Sequence, residues 1–227
     1  MRMLIAVALL IVVPFPLAAQ TAPAPVPSAA PAPFVPPSPV VFDLPEAASR
    51  GSITLSSTIL AGGVVPEASS GNGGNVSPDL AWSKPPRGTK SFVLLAEDPD
   101  GNRDGAPVRH WMVFDIDPAA RALPTGVQPG LAVPRMTQAL NVRGAIGYAG
   151  PRPRAGTTHH YHFELFALDT RLGLTDQASR AAVVAGLAGH VLAKGRIIAT
   201  YTGTEPEPAQ AIVRPAIPLA RHSRISA

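Results

Sequence analysis

The sequence predicts a mostly β domain with one helix near its C-terminal end. Short apolar runs rich in branched and aromatic side chains are separated by clusters of Gly, Pro and Asp, which is typical of strands bounded by turns. The runs are ITLSSTIL, SFVLLAE, HWMVFDI, YHFELFAL and RIIATYTG, which begin at residues 53, 91, 110, 161 and 196. A helix is predicted where Val183, Leu187 and Val191 recur every four residues, with Thr175 as its N-cap and Gly195 at its end.

A long stretch after the first predicted strand is expected to be an irregular loop. It reads SSGNGGNVSPDLAW over residues 69–82 and is too rich in Gly, Asn and Ser for a regular element. Loops of this length in compact domains are usually functional or mobile.

The N-terminal end has the pattern of a secretory signal peptide over residues 1–19. Arg2 is followed by an apolar run that ends in small residues. A retained membrane anchor is the alternative, but Pro14 and Pro16 interrupt a run that is already shorter than the ~20 apolar residues a span requires. We therefore expect a periplasmic or secreted protein with no stable transmembrane segment after processing.

The rest of the chain divides into a spacer, a domain and a tail. Residues 20–48 are dominated by Pro and Ala and are predicted to be a semi-rigid linker. Residues 49–203 are predicted to fold, and residues 204–227 form a Pro-containing tail.

The chain has no Cys, so disulfides cannot support the core. Its net charge of +4 comes from scattered Arg residues without a basic stripe, so no nucleic-acid partner is expected.

The stretch EDPDGNRDGAPVRHW, residues 97–111, brings Asp98 and Asp100 near His110 in the sequence. Asp-Pro-Asp-Gly is also an ordinary turn between strands, since Asp side chains and Gly supply what turns need. His110 beside Trp111 could equally be a core histidine. Local sequence alone favours these structural interpretations, so the case for a site depends on a wider pattern.

That wider pattern resembles the phosphatidylethanolamine-binding protein family, and its bacterial Raf-kinase-inhibitor-like members most of all. Five motifs carry the resemblance in order across residues 52–203: GNVSPDLAWSKPPRGTKSFVLLAEDPDG, HWMVFDI, NVRGAIGYAGPRP, HHYHFELFALD and GHVLAKGRIIATYTG. The resemblance implies a large antiparallel sheet packed on a smaller sheet, with peripheral helices. It also implies a small pocket that binds an anionic or phosphorylated ligand, such as phosphate or a phospholipid head group.

Carried over position by position, the resemblance assigns the pocket to seven residues. They are Asp98, Asp100, His110, Gly150, Pro151, His159 and Tyr161. Two departures from the family pattern affect the pocket rim: Gly101 follows Asp-Pro-Asp directly, and Arg152 and Arg154 make the segment after Gly-Pro more basic. A protein partner is also possible, because eukaryotic relatives modulate kinases and proteases.

The period of two along a strand separates the neighbouring histidines. His159 and Tyr161 share one face, whereas His160, His162 and Glu164 share the other. The resemblance places the first pair in the pocket. A carboxylate would repel an anion directly, so we expect the aspartates to orient a histidine and raise its pKa, or to meet the ammonium group of a zwitterionic ligand.

Two other kinds of site compete with this one. His160, His162 and Glu164 could suggest a metal, but zinc normally requires three or four ligands and the chain has no Cys, so no metal or cofactor is expected. Asp, His and Tyr in a pocket could serve a hydrolase. The sequence has no Gly-x-Ser-x-Gly, His-Glu-x-x-His or phosphate-binding Gly-Lys-Ser/Thr motif, so binding without catalysis is expected.

Overall fold

The computed structural model describes residues 39–103, 105–128 and 135–204. The predicted signal peptide, most of the spacer and nearly all of the tail lie outside the described residues. The strands are β1 (Gly51–Ser52), β2 (Leu55–Ser56), β3 (Leu80–Trp82), β4 (Ser91–Arg103), β5 (Ala106–Ile116), β6 (Ala122–Leu123), β7 (Thr137–Gln138), β8 (Thr158–Leu168) and β9 (Val191–Thr202). The helix α1 spans Arg180–Leu187, and 3-10 turns span Val41–Asp43, Pro45–Ala47 and Glu67–Ser69.

The described strands form a large and a small sheet, which confirms the predicted mostly β fold. The large sheet has the order β1-β9-β8-β4-β5-β7, and the small sheet has the order β2-β3-β6. The large sheet is mixed rather than wholly antiparallel, because β1 runs parallel to β9 with Gly51 opposite Ala193. Parallel neighbours need a long connection, and most of the domain lies between these two strands in the sequence.

The core occupies both faces of the large sheet. On one face, aromatic side chains such as Trp111 and Phe163 pack with Leu80 and Trp82 of the small sheet. On the other face, the N-terminal 3-10 turns and α1 cover a second apolar cluster. Residues 91–98 of β4 are all buried, and residues 92–96 form a continuous apolar run instead of an alternating one.

The helix is shorter than the sequence predicts. Its N-cap is Ser179, whose hydroxyl accepts a hydrogen bond from the Ala182 N–H at 3.1 Å, so the prediction of Thr175 was wrong. Gly189 adopts a φ of 77° just after the helix, a conformation that favours glycine and ends helices. Val191 continues the apolar spacing by coincidence, because it begins β9. No described helix is long and apolar enough to cross a membrane.

The segment before residue 49 takes part in the fold. Val41 and Ala47 are fully buried against the second face of the large sheet. The Val41 N–H donates to a Glu97 carboxylate oxygen at 2.8 Å, and the Phe42 N–H donates to Glu164 at 3.0 Å. Part of the sequence assigned to the spacer therefore packs as structure, and the folded region extends at least to Val40, which is also buried.

The first predicted strand is interrupted. Only residues 55–56 of the run ITLSSTIL pair in β2. The Asp79 carboxylate accepts hydrogen bonds from the N–H groups of Thr58 and Ile59, each at 3.0 Å, and from the hydroxyls of Ser57 and Thr58. A distant side chain thus turns the backbone where the local pattern indicated a continuing strand.

Candidate functional site

An open cavity of about 300 Å³ lies at one end of the large sheet. Its lining consists of Asp98, Gly101, Val108, His110, Val142, Arg143, Gly150, Arg152, Pro153, His159 and Tyr161. Five of the seven residues assigned from the sequence are therefore brought together here: Asp98, His110, Gly150, His159 and Tyr161. The two others, Asp100 and Pro151, do not line the cavity.

Three adjacent strands supply the polar floor of the cavity. Asp98 lies in β4, His110 lies in β5, and His159 and Tyr161 lie on the face of β8 that the period of two predicts. The ladder between β4 and β5 shifts register between Asp98 and Asn102, which marks an irregularity beside the site.

Gly101 is needed where the chain leaves this irregularity. A Cβ atom at Gly101 would lie 2.7 Å from Val108 Cγ2 and 3.1 Å from Asp98 Oδ2. The Gly101 N–H also donates to Asp98 Oδ1 at 2.9 Å. The departure from the family pattern at this position therefore fits tightly against the Asp98 carboxylate and helps to fix it.

Asp98 is almost fully buried and binds His159. Its Oδ2 atom lies 2.8 Å from His159 Nδ1, and because a carboxylate accepts, the imidazole N–H donates. Both oxygens of Asp98 are thus engaged, one by Gly101 and the other by His159. The sequence-based idea that an aspartate orients a histidine matches this pair.

His110 has a different arrangement. Its Nδ1 atom lies 2.6 Å from the Ala149 carbonyl oxygen, which can only accept, so Nδ1 carries a proton. Its Nε2 atom is buried and has no hydrogen-bond partner. The Asp98 Oδ2 atom lies 3.9 Å from Nε2, which is too far for a hydrogen bond.

The electrostatic surroundings of His110 contradict the sequence-based expectation of a raised pKa. Burial is the largest influence and lowers the pKa of His110 below its usual value. The Ala149 carbonyl and the Asp98 carboxylate act in the opposite direction, whereas Arg143 and His159 lower it further. His110 is therefore neutral at pH 7, because only 6% of the residue is exposed and desolvation outweighs the attraction of one carboxylate.

Asp100 and Pro151 support neighbouring parts of the structure. The Asp100 carboxylate accepts from the His160 N–H at 2.7 Å and from the His160 ring at 2.8 Å. Burial alone would raise the pKa of Asp100, but these hydrogen bonds outweigh it and lower the pKa. Pro151 is buried, and its carbonyl accepts from the Gly71 N–H at 2.7 Å.

Asn75, which the sequence analysis did not single out, holds the cavity wall in place. Its side-chain Oδ1 accepts from the Gly150 N–H at 2.7 Å, and its amide nitrogen donates to the Tyr148 carbonyl at 3.3 Å. Its φ of 52° is in the left-handed region, where Asn is more acceptable than most residues. The Asn-rich loop sequence was the available signal for this role.

Two exposed arginines form the rim. Arg152, which the sequence analysis noted, and Arg143, which it missed, both line the cavity. Arg143 also donates to the Gly150 carbonyl at 3.2 Å. Arg154 does not belong to the lining. Within the described ranges, His, Asp and Glu side chains form no group of three or more that could hold a metal ion.

Comparison with known proteins assigns the chain and its fold to one family. The phosphatidylethanolamine-binding protein family matches residues 55–202. The chain belongs to this family.

Three relatives illustrate the range of similarity. A UPF0098 protein of Methanothermobacter thermautotrophicus is 37% identical over 143 residues, which cover 61% of this chain and 91% of that protein. A Mycobacterium tuberculosis protein named as a lipoprotein, LppC, is 34% identical over 174 residues, which cover 75% of this chain and 82% of LppC. The crystal structure of Escherichia coli YbcL, described as a member of the mammalian PEBP family, superposes with a TM-score of 0.62 at 29% identity and covers 67% of this chain and 99% of YbcL.

Proposed function

We propose that this protein binds a small ligand with a phosphoryl or similar anionic group in the cavity between Asp98 and Arg152. The observation that carries the proposal is the distribution of charge. Arg143 and Arg152 lie at the rim, and the buried carboxylate of Asp98 is occupied by His159 and Gly101. An anion approaching the rim therefore meets two guanidinium groups, which bind phosphate oxygens well.

The chemistry of the cavity supports binding rather than catalysis. None of the described lining residues is Ser, Thr or Cys, so the usual side-chain nucleophiles of hydrolases do not face the ligand. Asp98 is engaged through both oxygens and is not free to attack a phosphorus atom. The Asp, His and Tyr side chains that could serve a hydrolase line the cavity, but no Ser, Thr or Cys nucleophile lies among the described lining residues. No described feature favours an inhibitor of a kinase or protease.

The proposal is tested by removing one rim charge at a time. Inorganic phosphate and O-phosphoethanolamine are titrated by calorimetry into the wild-type protein, Arg152→Gln and Arg154→Gln. Arg154 is the matched control, since it is exposed on the same segment and does not line the cavity. We expect Arg152→Gln to weaken binding about two- to fivefold and Arg154→Gln to have a smaller effect, because an exposed charge pair contributes roughly 0.2–1 kcal/mol.

The two possible sources of the phosphoryl group are separated by a second arm. Vesicles of phosphatidylethanolamine in phosphatidylcholine are sedimented with the protein, against vesicles of phosphatidylcholine alone. Binding of the soluble phosphates without enrichment on the first vesicles indicates a free phosphorylated ligand. Equal loss of affinity in both arginine variants, or no binding of any probe, contradicts the assigned cavity.

The proposed function also includes the compartment in which the protein meets its ligand. We propose that residues 1–19 direct export, supported by their pattern and by the relative named as a lipoprotein. N-terminal sequencing of the protein from its native host should then start near Gln20, in a fraction outside the inner membrane. A cytosolic protein that retains Met1 contradicts export.

A further inference from the structure

A second cavity, of about 320 Å³, lies beside the start of β5. Three arginines line it: Arg103 from the end of β4, Arg109 from β5 and Arg180 from the start of α1. None of the three lines the cavity of Asp98 and His110. We call this second space the arginine cavity, and its volume lies in the range of sites for small ligands.

The fold already uses two of these arginines. Arg180 Nε donates to Glu97 Oε1 at 2.6 Å, and its Nη2 donates to Glu97 Oε2 at 3.3 Å. Arg103 Nη1 donates to the Val142 carbonyl at 2.8 Å. The guanidinium of Arg109, in contrast, makes no hydrogen bond with any described residue. Its Nε is buried, whereas Nη1 and Nη2 keep accessible surface, so two donors of Arg109 remain for a ligand.

The charges at the arginine cavity favour an anion. No Asp or Glu is among its described lining residues, and Glu97 is the one described carboxylate that bonds to any of the three arginines. Glu97 is 1% exposed and also accepts from the Val41 N–H, so its charge is used within the fold. Burial lowers the pKa of Arg109, and the attraction of Glu97 acts against this. Arg109 remains a partly desolvated cation, because arginine keeps its proton in proteins.

The walls of the arginine cavity are largely apolar. Pro107 and Val108 of β5 line it together with Leu140 and Val142 of the loop after β7. The loop is held against β5, since the Val142 N–H donates to the Arg109 carbonyl at 2.8 Å. An inorganic ion would leave these walls in water, whereas an organic anion would bury apolar surface on them. The cavity therefore favours an anion that carries an apolar body.

A neighbouring groove indicates where that apolar body extends. The groove shares Ala106 and Arg180 with the arginine cavity and continues along α1 past Val184. Glu46 lines the groove and does not line the arginine cavity, so a negative charge is disfavoured in the groove. The charges thus orient a ligand with its anionic head at Arg109 and its apolar part over α1.

We propose that the arginine cavity binds an organic monocarboxylate, whose two oxygens accept from Nη1 and Nη2 of Arg109 and whose apolar chain lies along α1. A planar carboxylate matches the fork of one guanidinium. A tetrahedral phosphoryl or sulfate group is best held by donors from several directions, and Arg103 and Arg180 have turned part of theirs toward the protein. This site is additional to the one proposed above and does not depend on it.

The first experiment locates octanoate on the wild-type, full-length protein by nitrogen-15 NMR at pH 7. Val108 and Val142 line both cavities and cannot tell them apart. The Leu140 amide and Arg109 Nε report on the arginine cavity, whereas His159 reports on the other one. We expect the Leu140 and Arg109 signals to shift at the same octanoate concentration while the His159 signals stay unchanged.

A series of ligands then separates the carboxylate from the chain. Butanoate, hexanoate, 1-hexanol and inorganic phosphate are titrated while the same signals are followed. We expect hexanoate to bind roughly four- to fifteenfold more tightly than butanoate, because each methylene adds buried apolar surface. We expect 1-hexanol to bind at least about tenfold more weakly than hexanoate, because it lacks the charged acceptor for Arg109.

Two variants assign the charge. Arg109→Gln should weaken octanoate binding at least about tenfold, since a hydrogen bond to a charged group is stronger than a neutral one. Arg154→Gln is the matched control, because Arg154 is exposed and lines neither cavity, and its effect should stay within about twofold. The wild-type map and the ligand series decide the question even if Arg109→Gln does not fold.

Three results overturn the proposal. Octanoate that leaves the Arg109 signal unchanged, whether or not it shifts His159, contradicts the assigned cavity. Hexanol that binds as tightly as hexanoate shows an apolar surface without recognition of charge. Inorganic phosphate that shifts Leu140 and Arg109 as strongly as octanoate shows an unselective anion site. None of these results alters the proposed binding of phosphate at His159, which the Arg152 and Arg154 variants test separately.

Discussion

Glu164 should make the protein less stable as the pH rises, and its replacement by Gln should remove this effect. The side chain is fully buried on the second face of β8. Its Oε2 atom accepts from the Phe42 N–H at 3.0 Å, whereas Oε1 has no hydrogen-bond partner, with His162 Nδ1 4.0 Å away. One carboxyl oxygen therefore lacks the contacts that a buried negative charge requires.

Burial, reinforced by the nearby charge of Glu97, raises the pKa of Glu164 from 4.5 to about 9. Between these two values the folded protein keeps a proton that the unfolded chain has lost. Stability from this group is thus complete below the unfolded value and is lost as the pH rises toward about 9. The slope is about 1.4 kcal/mol per pH unit, so from pH 5.5 to 7.5 the loss amounts to about 2–3 kcal/mol.

Urea unfolding of wild type and Glu164→Gln at pH 5.5, 6.5 and 7.5 measures this slope. The difference in unfolding free energy between the two proteins should change by about 2–3 kcal/mol in favour of the variant across this range. His110 and His162 remain in both proteins, so their titrations largely cancel. Glu46→Gln, an exposed carboxylate in the same N-terminal segment, is the control. A difference that is flat, or that moves in the opposite direction, refutes a neutral buried Glu164.

Three further substitutions test other parts of the structure. Asp79→Asn should lower the free energy of unfolding by about 1 kcal/mol or more near neutral pH. Burial alone would raise the pKa of Asp79, but hydrogen bonds from Thr58, Ile59 and Ser57 outweigh it and lower the pKa to about 2. The difference from wild type in urea unfolding should therefore close as the pH falls from about 4 to about 2. Gly150→Ala would press a Cβ against the Ser69 carbonyl oxygen, so thermal unfolding should show a loss of about 1–3 kcal/mol, while Gly62→Ala, in open space, should show little change. Arg180→Met leaves the buried Glu97 without the guanidinium that lies 2.6 Å away and should cost about 3 kcal/mol in chemical unfolding at pH 7; a loss below about 1 kcal/mol contradicts a close buried pair.

The strands that carry the core were predictable, because turn residues bound short runs that are rich in branched and aromatic side chains. The helix boundary was not, because Val191 continues the spacing of Val183 and Leu187 although Gly189 has already turned the chain. The local pattern also hid the role of residues 40–47. They follow the Pro-rich run and were assigned to the spacer, while their burial depends on carboxylates contributed by β4 and β8.

The residues of the candidate site could be predicted from the sequence only in part. Strand periodicity separated His159 from His160, and the structure places only His159 in the cavity. The sequence could not predict the direction in which the pKa of His110 shifts, because the shift depends on how deeply the ring is buried and on the Ala149 carbonyl. Arg143 lies in the motif NVRGAIGYAGPRP, but only the path of the loop after β7 brings its side chain to the rim.

The central claim, that a phosphoryl group binds against His110 and His159, is tested most directly by nitrogen-15 NMR of the imidazole rings during titration with methyl phosphate at pH 5.5. The ring nitrogens report protonation and hydrogen bonding separately. We expect the ring-nitrogen signals of His110 and His159 to shift at the same methyl phosphate concentration, because both residues line the cavity. Saturating methyl phosphate that leaves both rings unchanged would contradict binding at this cavity.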